Sequence, residues 1–217
     1  MTTRVVSNLK TTTIADVEVV EQPLKDKKRK KVGIMGGTFN PPHLAHLVMA
    51  EQVRDQLGLD EVLFIPDYLP PHVDEKHPIR AENRIEMVKL AIEDNPGFKL
   101  DLREFERKGK SYSFDTVSEL VQQHPENEYY FIIGSDMVDY LPKWYRIDDL
   151  VRLVQFVGVR RGTQMEYSKY PVIWVDAPQL DISSTLIRTK VNRKQSIKYL
   201  VPSKVADYIK EHHLYER

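Results

Sequence analysis

Two histidines, His43 and His46, follow a pair of glycines in residues 36–46, which read GGTFNPPHLAH. Paired glycines let backbone N–H groups approach a phosphate closely, and the start of a following helix adds positive potential. Residues three apart at a helix start point to the same side. Two satisfied structural histidines are the plainer alternative, but a position directly after a strand and a Gly-Gly turn favours a phosphate site. The segment has neither a P-loop pattern nor GxGxxG, which counts against kinases and dinucleotide-binding enzymes.

A second candidate anion site stands far along the chain. Ser183, Ser184 and Thr185 lie where a helical pattern begins, and Arg188 follows about one turn later. Hydroxyl groups at a helix start either cap backbone N–H groups or contact an anion, and a guanidinium can bind phosphate with two parallel hydrogen bonds. A well-capped helix with an exposed arginine would contain the same residues, so this segment alone leaves both interpretations open.

A third candidate segment follows the apolar run EYYFIIG. Gly134 and Asp136 stand at its end, and an aromatic cluster comes next. An aspartate there could simply cap the next helix, and aromatic residues after a proline are often part of the core. The cluster and its neighbouring lysine are Tyr140, Lys143, Trp144 and Tyr145.

The elements that must position these residues alternate regularly from residue 31 onward. Strand-like runs read KVGIM, EVLFIP, FKLDLREF, EYYFIIG, LVQFVGV and YPVIWV, and helical periods cover 43–57, 81–94, 114–123, 184–193 and 203–212. Short apolar strands separated by single helices are typical of βαβ units. The pattern predicts an α/β fold, a doubly wound sheet of five or six mostly parallel strands with helices on both faces. Ligands bind outside the carboxyl ends of such strands, where the first and third candidate segments stand.

Composition narrows the class of protein. The 217 residues are 41% hydrophobic and 29% charged, with zero formal net charge and no cysteine. The missing cysteine excludes disulfide scaffolds, thiolate zinc sites and cysteine nucleophiles, and it fits a reducing compartment such as the cytoplasm. No apolar run is long enough to span a bilayer, and nothing in the overall charge argues for nucleic-acid binding. We expect residues 1–30, which are polar and basic, to be a poorly ordered extension, and residues 31–217 to be one domain.

The segment at 36–46 resembles the HxGH signature of the nucleotidyltransferase superfamily, which has a Rossmann-like fold. It is similar above all to the nicotinate mononucleotide adenylyltransferases, although Asn40 stands where aspartate is common and Ala45 replaces a glycine. Residues 182–188, ISSTLIR, match the partner motif ISSTxIR of the same family. FIIGSDM with YLPKWY, and ERKGKSYSFDT at 106–116, also resemble its members. The likeness runs from about residue 31 to the last residues.

The resemblance implies binding residues for two substrates, ATP and nicotinate mononucleotide. His43, His46 and Arg188 would be the catalytic residues and would contact the phosphates of ATP. Trp144 would stack on the pyridine ring, and backbone N–H groups near Ser113 and Tyr145 would receive the nicotinate carboxylate. The remaining ATP-binding residues would be Gly36, Gly37, Thr38, Phe39, Asn40, Gly134, Asp136, Ser183, Ser184 and Thr185, and Tyr140 and Lys143 would complete the mononucleotide site.

The implied reaction joins nicotinate mononucleotide and ATP, with Mg²⁺ carried by ATP and no metal ligands supplied by the protein. Three alternatives stay open. A sister enzyme could use nicotinamide mononucleotide or phosphopantetheine, and a regulator could bind nucleotide without catalysis. A metal hydrolase built on His43 and His46 would need a third ligand, and none is suitably spaced. The sequence leaves open whether the protein forms a homo-oligomer.

Overall fold

Six parallel strands form one sheet in the computed structural model, which describes residues 29–70, 79–160 and 168–216. The strands are β1 (Lys31–Gly37), β2 (Glu61–Pro66), β3 (Phe98–Leu100), β4 (Glu128–Gly134), β5 (Gln155–Arg160) and β6 (Val172–Asp176). The helices are α1 (Leu44–Leu57), α2 (Ala81–Ile92), α3 (Arg103–Arg107), α4 (Ser113–Gln123), α5 (Ser135–Val138), α6 (Ile147–Leu150), α7 (Ser184–Asn192) and α8 (Ser203–Glu211), with a 3-10 turn at Leu141–Lys143.

The strand order is β3-β2-β1-β4-β5-β6, so the chain reverses its direction of winding between β1 and β4. All neighbouring strands pair in parallel. The loops after β1 and β4 therefore diverge to opposite faces and leave a crevice at the carboxyl ends of these two strands. The predicted doubly wound parallel sheet is confirmed, and the first and third candidate segments meet at this crevice.

The central strands are buried on both faces of the sheet. Alternate residues of β4 divide between two apolar clusters, with Phe131 and Ile133 on one face and Ile132 on the other. Helix α4 covers the first face with Val117 and Leu120. Helices α1 and α2 cover the opposite face. This burial explains why the strands are short, nearly continuous apolar runs.

Turn-forming residues follow helices α1 and α2 close to the positions where the sequence predicts that these helices end. Helix α1 stops at Gly58, whose left-handed φ of 60° is a conformation that glycine adopts without steric cost. After α2, the side chain of Asn95 accepts the N–H of Gly97 at 2.9 Å and turns the chain toward β3.

The prediction of one strand over FKLDLREF is wrong beyond Leu100. Strand β3 ends there, and α3 begins at Arg103. The Asp101 carboxylate accepts both the backbone N–H and the Nε–H of Arg103, each at 3.0 Å. A short acidic side chain that captures a nearby backbone donor offers the chain an alternative to the sheet ladder, so the strand gives way to a helical turn.

A third apolar cluster joins the last helices to the sheet domain. Met87 of α2 packs with Ile187 of α7 and with Val205 and Ile209 of α8, which sets the beginning of α7 beside the loop after β1. None of the helices in the described ranges is long and apolar enough to cross a membrane. The predicted extension lies outside the described residues except for its last two, residues 29 and 30.

Candidate active site

A cavity of about 750 Å³ opens at the carboxyl ends of β1, β2 and β4. This volume is typical of small-molecule sites. Most of the predicted site residues line it: Gly36, Gly37, Thr38, His43, His46, Ser113, Gly134, Asp136, Lys143, Trp144, Tyr145, Ser183 and Ser184. Five others, Phe39, Asn40, Tyr140, Thr185 and Arg188, do not line the cavity.

The two histidines form one stacked unit at the start of α1. Their ring centroids lie 3.6 Å apart, with 23° between the planes. His43 precedes the helix in an extended conformation, and its backbone N–H donates to Nδ1 of His46 at 3.2 Å. A nitrogen that accepts a hydrogen bond carries no proton, so the neutral His46 ring carries its hydrogen on Nε2.

Burial, with a further contribution from His43, lowers the pKa of His46 well below its ordinary value. The ring is therefore neutral at physiological pH and offers its Nε2–H as a hydrogen-bond donor. A neutral donor in a partly dry cavity can stabilise developing negative charge on a phosphate without first losing or gaining a proton.

The loop after β1 is held from below by a buried arginine. Arg84 of α2 is 1% exposed, and its Nη1 donates to the carbonyl oxygens of Thr38 at 2.9 Å and Asp67 at 2.8 Å. The Thr38 hydroxyl donates to Asp67 Oδ2 at 3.1 Å. Phe39 has a left-handed φ of 48°, and its ring packs in the core against Phe64. Any contact of Phe39 with a ligand must therefore come from its backbone.

The second motif is bonded directly to this loop. Arg188 Nη1 donates to the Asn40 carbonyl at 2.9 Å and Nη2 donates to Thr185 Oγ1 at 3.0 Å. The Ser184 hydroxyl donates to the Pro41 carbonyl at 2.7 Å. Ser183 Oγ caps α7 by accepting the N–H of Leu186 at 3.1 Å. Residues far apart in sequence thus form one structural unit along one edge of the cavity.

Aromatic side chains form the opposite part of the cavity. Trp144 meets Phe131 and Phe156 edge to face, at centroid distances of 5.5 and 5.9 Å. These contacts hold the indole against the core while it lines the cavity. Tyr145 packs on Tyr112 at 4.6 Å beside the first residue of α4.

The structure does not bring Tyr140 to the cavity. Tyr140 is 52% exposed, and the Lys143 ammonium lies 5.0 Å from the centre of its ring. The 3-10 turn Leu141–Lys143 stands between Tyr140 and Trp144 in the chain.

Two carboxyl groups that the sequence analysis did not single out also line the cavity. Asp67 follows β2, and its pKa is raised to about 7, mainly by burial and then by the negative charge of Glu104. Glu104 is buried, which raises its pKa, and it accepts a 2.6 Å hydrogen bond from Thr116 Oγ1. Asp67 could have been predicted, because it directly follows β2 and ligands bind outside the carboxyl ends of such strands. Glu104 could not, because its segment was predicted as a strand.

Residues 34–190 match the cytidylyltransferase-like family. The matched region runs from β1 through α7, so it contains both histidines, Arg188 and the sheet that positions them. Fold and motifs together define the class as nucleotidyltransferases.

Curated relatives narrow the class further. A "probable nicotinate-nucleotide adenylyltransferase" of Lactiplantibacillus plantarum is 62% identical over 87% of this chain and 89% of its own. A protein of the same name from Enterococcus faecalis is 57% identical over 93% of this chain and 92% of its own. The chain therefore belongs to the nicotinate-nucleotide adenylyltransferases of the cytidylyltransferase-like family.

A solved structure has the same fold. The nicotinic acid mononucleotide adenylyltransferase of Plasmodium falciparum, complexed with NaAD, superposes with a TM-score of 0.72 at 21% identity. The alignment covers 86% of this chain and 98% of that one.

We expect His46 to titrate below its ordinary pKa and to be the Nε2–H tautomer when neutral. Burial penalises its charged form, and protonation of Nδ1 would break the bond from the His43 N–H. Nitrogen-15 NMR of the ring nitrogens across pH 5 to 8, with His46→Gln to assign the signals, measures both properties. Titration at or above the ordinary histidine pKa would contradict this description of the ring.

Proposed function

We propose that this protein transfers the adenylyl group of ATP to nicotinate mononucleotide, giving nicotinate adenine dinucleotide and pyrophosphate, a step of NAD biosynthesis. One observation carries the proposal: a single cavity has the loop after β1 with its two histidines at one side and Trp144 with the start of α4 at the other. Two phosphate-bearing substrates need such an arrangement, because their reacting groups must meet between separate binding regions.

In the proposed reaction a phosphate oxygen of the mononucleotide forms a bond to the α-phosphorus of ATP. The bond from that phosphorus to the oxygen that bridges to the β-phosphate breaks, and pyrophosphate leaves with the bonding electrons. The substrate supplies its own nucleophile, so the protein needs none. Its contribution is to position the two phosphates in line and to offset negative charge as the leaving group forms.

The side of the cavity that binds ATP supplies hydrogen-bond donors that offset the negative charge of the phosphates. The Nε2–H of His46 donates to phosphate, and His43 keeps the ring in that tautomer while lining the same surface. Backbone N–H groups of Gly36 and Gly37 approach the phosphates without steric hindrance from a Cβ. Thr38 continues this surface, Phe39 and Asn40 follow it in the chain and shape the loop, and Gly134 and Asp136 face it from the end of β4.

The second motif supports the same phosphates. Ser184 is committed to the Pro41 carbonyl and so orders the loop, whereas Ser183 accepts from Leu186 and keeps its own hydroxyl hydrogen to donate. Arg188 donates hydrogen bonds to the Asn40 carbonyl and to Thr185 Oγ1. Its guanidinium has further N–H groups that donate to the outer phosphates of ATP. In this proposal Arg188 both joins the two motifs and binds the leaving group.

The mononucleotide binds on the other side. Trp144 offers its ring face for stacking on the pyridine, and Lys143 and Tyr145 line the wall beside it. Helix α4 begins at Ser113, so its first backbone N–H groups have no partner within the helix and carry positive potential into this part of the cavity. A carboxylate on the pyridine ring is the group that such donors bind best.

Mg²⁺ enters, in this proposal, bound to the phosphates of ATP as part of the substrate. Across the described ranges no three His, Cys, Asp or Glu side chains come together as an ion site. We place the reaction in the cytoplasm, in keeping with a chain that has no cysteine, and assign it to the domain over residues 31–217.

His46→Ala is expected to lower kcat by about 100-fold or more while the folded protein keeps most of its stability. The variant loses one preorganised donor to the developing charge. Steady-state turnover is measured by pyrophosphate release, with a thermal melt to verify folding and His124→Ala, an exposed histidine, as the control. Near wild-type turnover in folded His46→Ala would exclude the catalytic role.

Arg188→Lys is expected to raise KM for ATP by about 10-fold or more despite the preserved charge. One ammonium cannot reproduce the guanidinium's simultaneous bonds to Asn40 and Thr185 and still donate to phosphate. The matched control is Arg193→Lys, an exposed arginine just past the end of the same helix. If the Arg188→Lys enzyme keeps the wild-type KM and kcat, Arg188 plays no part in ATP use.

Nicotinate mononucleotide is expected to exceed nicotinamide mononucleotide in kcat/KM by about 100-fold or more. The two oxygens of a carboxylate accept hydrogen bonds from two N–H donors of the site. A carboxamide has only one oxygen and turns its NH₂ toward the second donor, and an unsatisfied buried donor costs roughly 1–3 kcal/mol. The measurement compares both mononucleotides at saturating MgATP. Trp144→Ala serves as the reference variant, because loss of stacking should lower both values by a similar factor.

Equal values for the two mononucleotides would reject the nicotinate assignment and leave adenylyl transfer intact. Absence of pyrophosphate release with any mononucleotide would instead favour a nucleotide-binding regulator.

A further inference from the structure

A tyrosine beyond the last helix reaches the loop after β1. The Tyr215 hydroxyl donates to Oδ1 of Asn40 at 2.9 Å, across 175 residues of sequence. Leu214 beside it is buried in the cluster formed by α2, α7 and α8. The segment that follows α8 is therefore anchored in the core on one side and bonded to the loop on the other.

The same loop is held at three of its carbonyl oxygens. Arg84 donates to Thr38 O, Arg188 to Asn40 O and Ser184 to Pro41 O. These bonds hold the backbone, whereas the bond from Tyr215 holds the Asn40 side chain. An amide oxygen accepts this bond without bringing a negative charge close to a phosphate site, as an aspartate at this position would.

The surroundings of Tyr215 keep its hydroxyl protonated, so that it acts as a hydrogen-bond donor. Burial raises the pKa of Tyr215 above its ordinary value, although the nearby guanidinium groups of Arg188 and Arg84 partly oppose the shift. The hydroxyl thus keeps its hydrogen throughout the physiological pH range, and the bond to Asn40 persists.

We propose that Tyr215 is a positioning residue for ATP, which acts through Asn40 by holding the loop after β1 in the geometry that receives the phosphates. This inference rests on the proposed function for its kinetic consequence. The loop follows directly on the two glycines that end β1 and leads into the histidine pair, so a shift of the loop displaces phosphate donors.

The test compares Tyr215→Phe with Tyr208→Phe. Both tyrosines are partly buried, and both donate to the Oδ1 of an asparagine, but the partner of Tyr208 is Asn83 on α2 at 3.0 Å. We expect Tyr215→Phe to raise KM and the dissociation constant for ATP by about 3- to 10-fold, the loss of one neutral hydrogen bond. KM for nicotinate mononucleotide should stay unchanged. Tyr208→Phe should leave every constant at the wild-type value.

A double-mutant cycle with Asn40→Ala tests the route of the effect. If Tyr215 acts through Asn40, the double variant binds ATP no more weakly than Asn40→Ala alone. Additive losses, an unchanged ATP dissociation constant in Tyr215→Phe, or an equal loss in Tyr208→Phe would each overturn the proposal. The ATP dissociation constant is measured by calorimetry without a mononucleotide. Failure of the wild-type protein to turn over nicotinate mononucleotide would therefore reject the proposed function and leave the ATP-binding measurements of this test valid.

Discussion

The hydrogen bond from Arg188 to the carbonyl of Asn40 joins two stretches of chain that are 148 residues apart. The bond matters because each stretch alone is ambiguous: a glycine turn with histidines, and a capped helix with an arginine. The bond from Ser184 to the Pro41 carbonyl also joins the two stretches, and together the stretches form one edge of a cavity. The apolar packing of α7 and α8 on α2 brings the two stretches within reach and keeps them there.

Arg84 provides the second constraint, from beneath the same loop. A fully buried guanidinium is costly unless its donors are satisfied, and here the Nη1 and Nη2 donors of Arg84 bind the carbonyl oxygens of Thr38, Asp67 and Tyr68. The buried Nε of Arg84 has no hydrogen-bond partner among the described residues. Burial lowers the pKa of Arg84 below its ordinary value, and negative charge on Asp67 and Glu104 partly opposes this shift. The carboxyl pair thus lies where its ionised form offsets a buried positive charge, and both groups also line the cavity wall.

Much of the site could be predicted because its residues stand in short motifs at strand and helix ends. His43, His46 and Trp144 line the cavity, since a strand end followed by a turn limits where the next residues can lie. Tyr140 does not line it, and the sequence alone does not show how the 3-10 turn between Tyr140 and Trp144 sets their relative positions. Glu104 was missed because its segment was predicted as a strand, whereas a local bond from the Arg103 N–H to the Asp101 carboxylate favours a helical turn there.

Hydrophobic periodicity and turn residues were sufficient for the α/β class, the parallel sheet and most helix boundaries, because periodicity and helix ends are properties of short segments and strands joined through single helices run parallel. The packing of the last helices on α2, the stacked geometry of the histidines and the bonds that reach Asn40 depend on residues far apart in sequence. Such contacts form only when the whole sheet and its helices come together. The side chain of Tyr215 shows the difference: in the sequence it is one aromatic among many, and the folded chain sets its hydroxyl against Asn40.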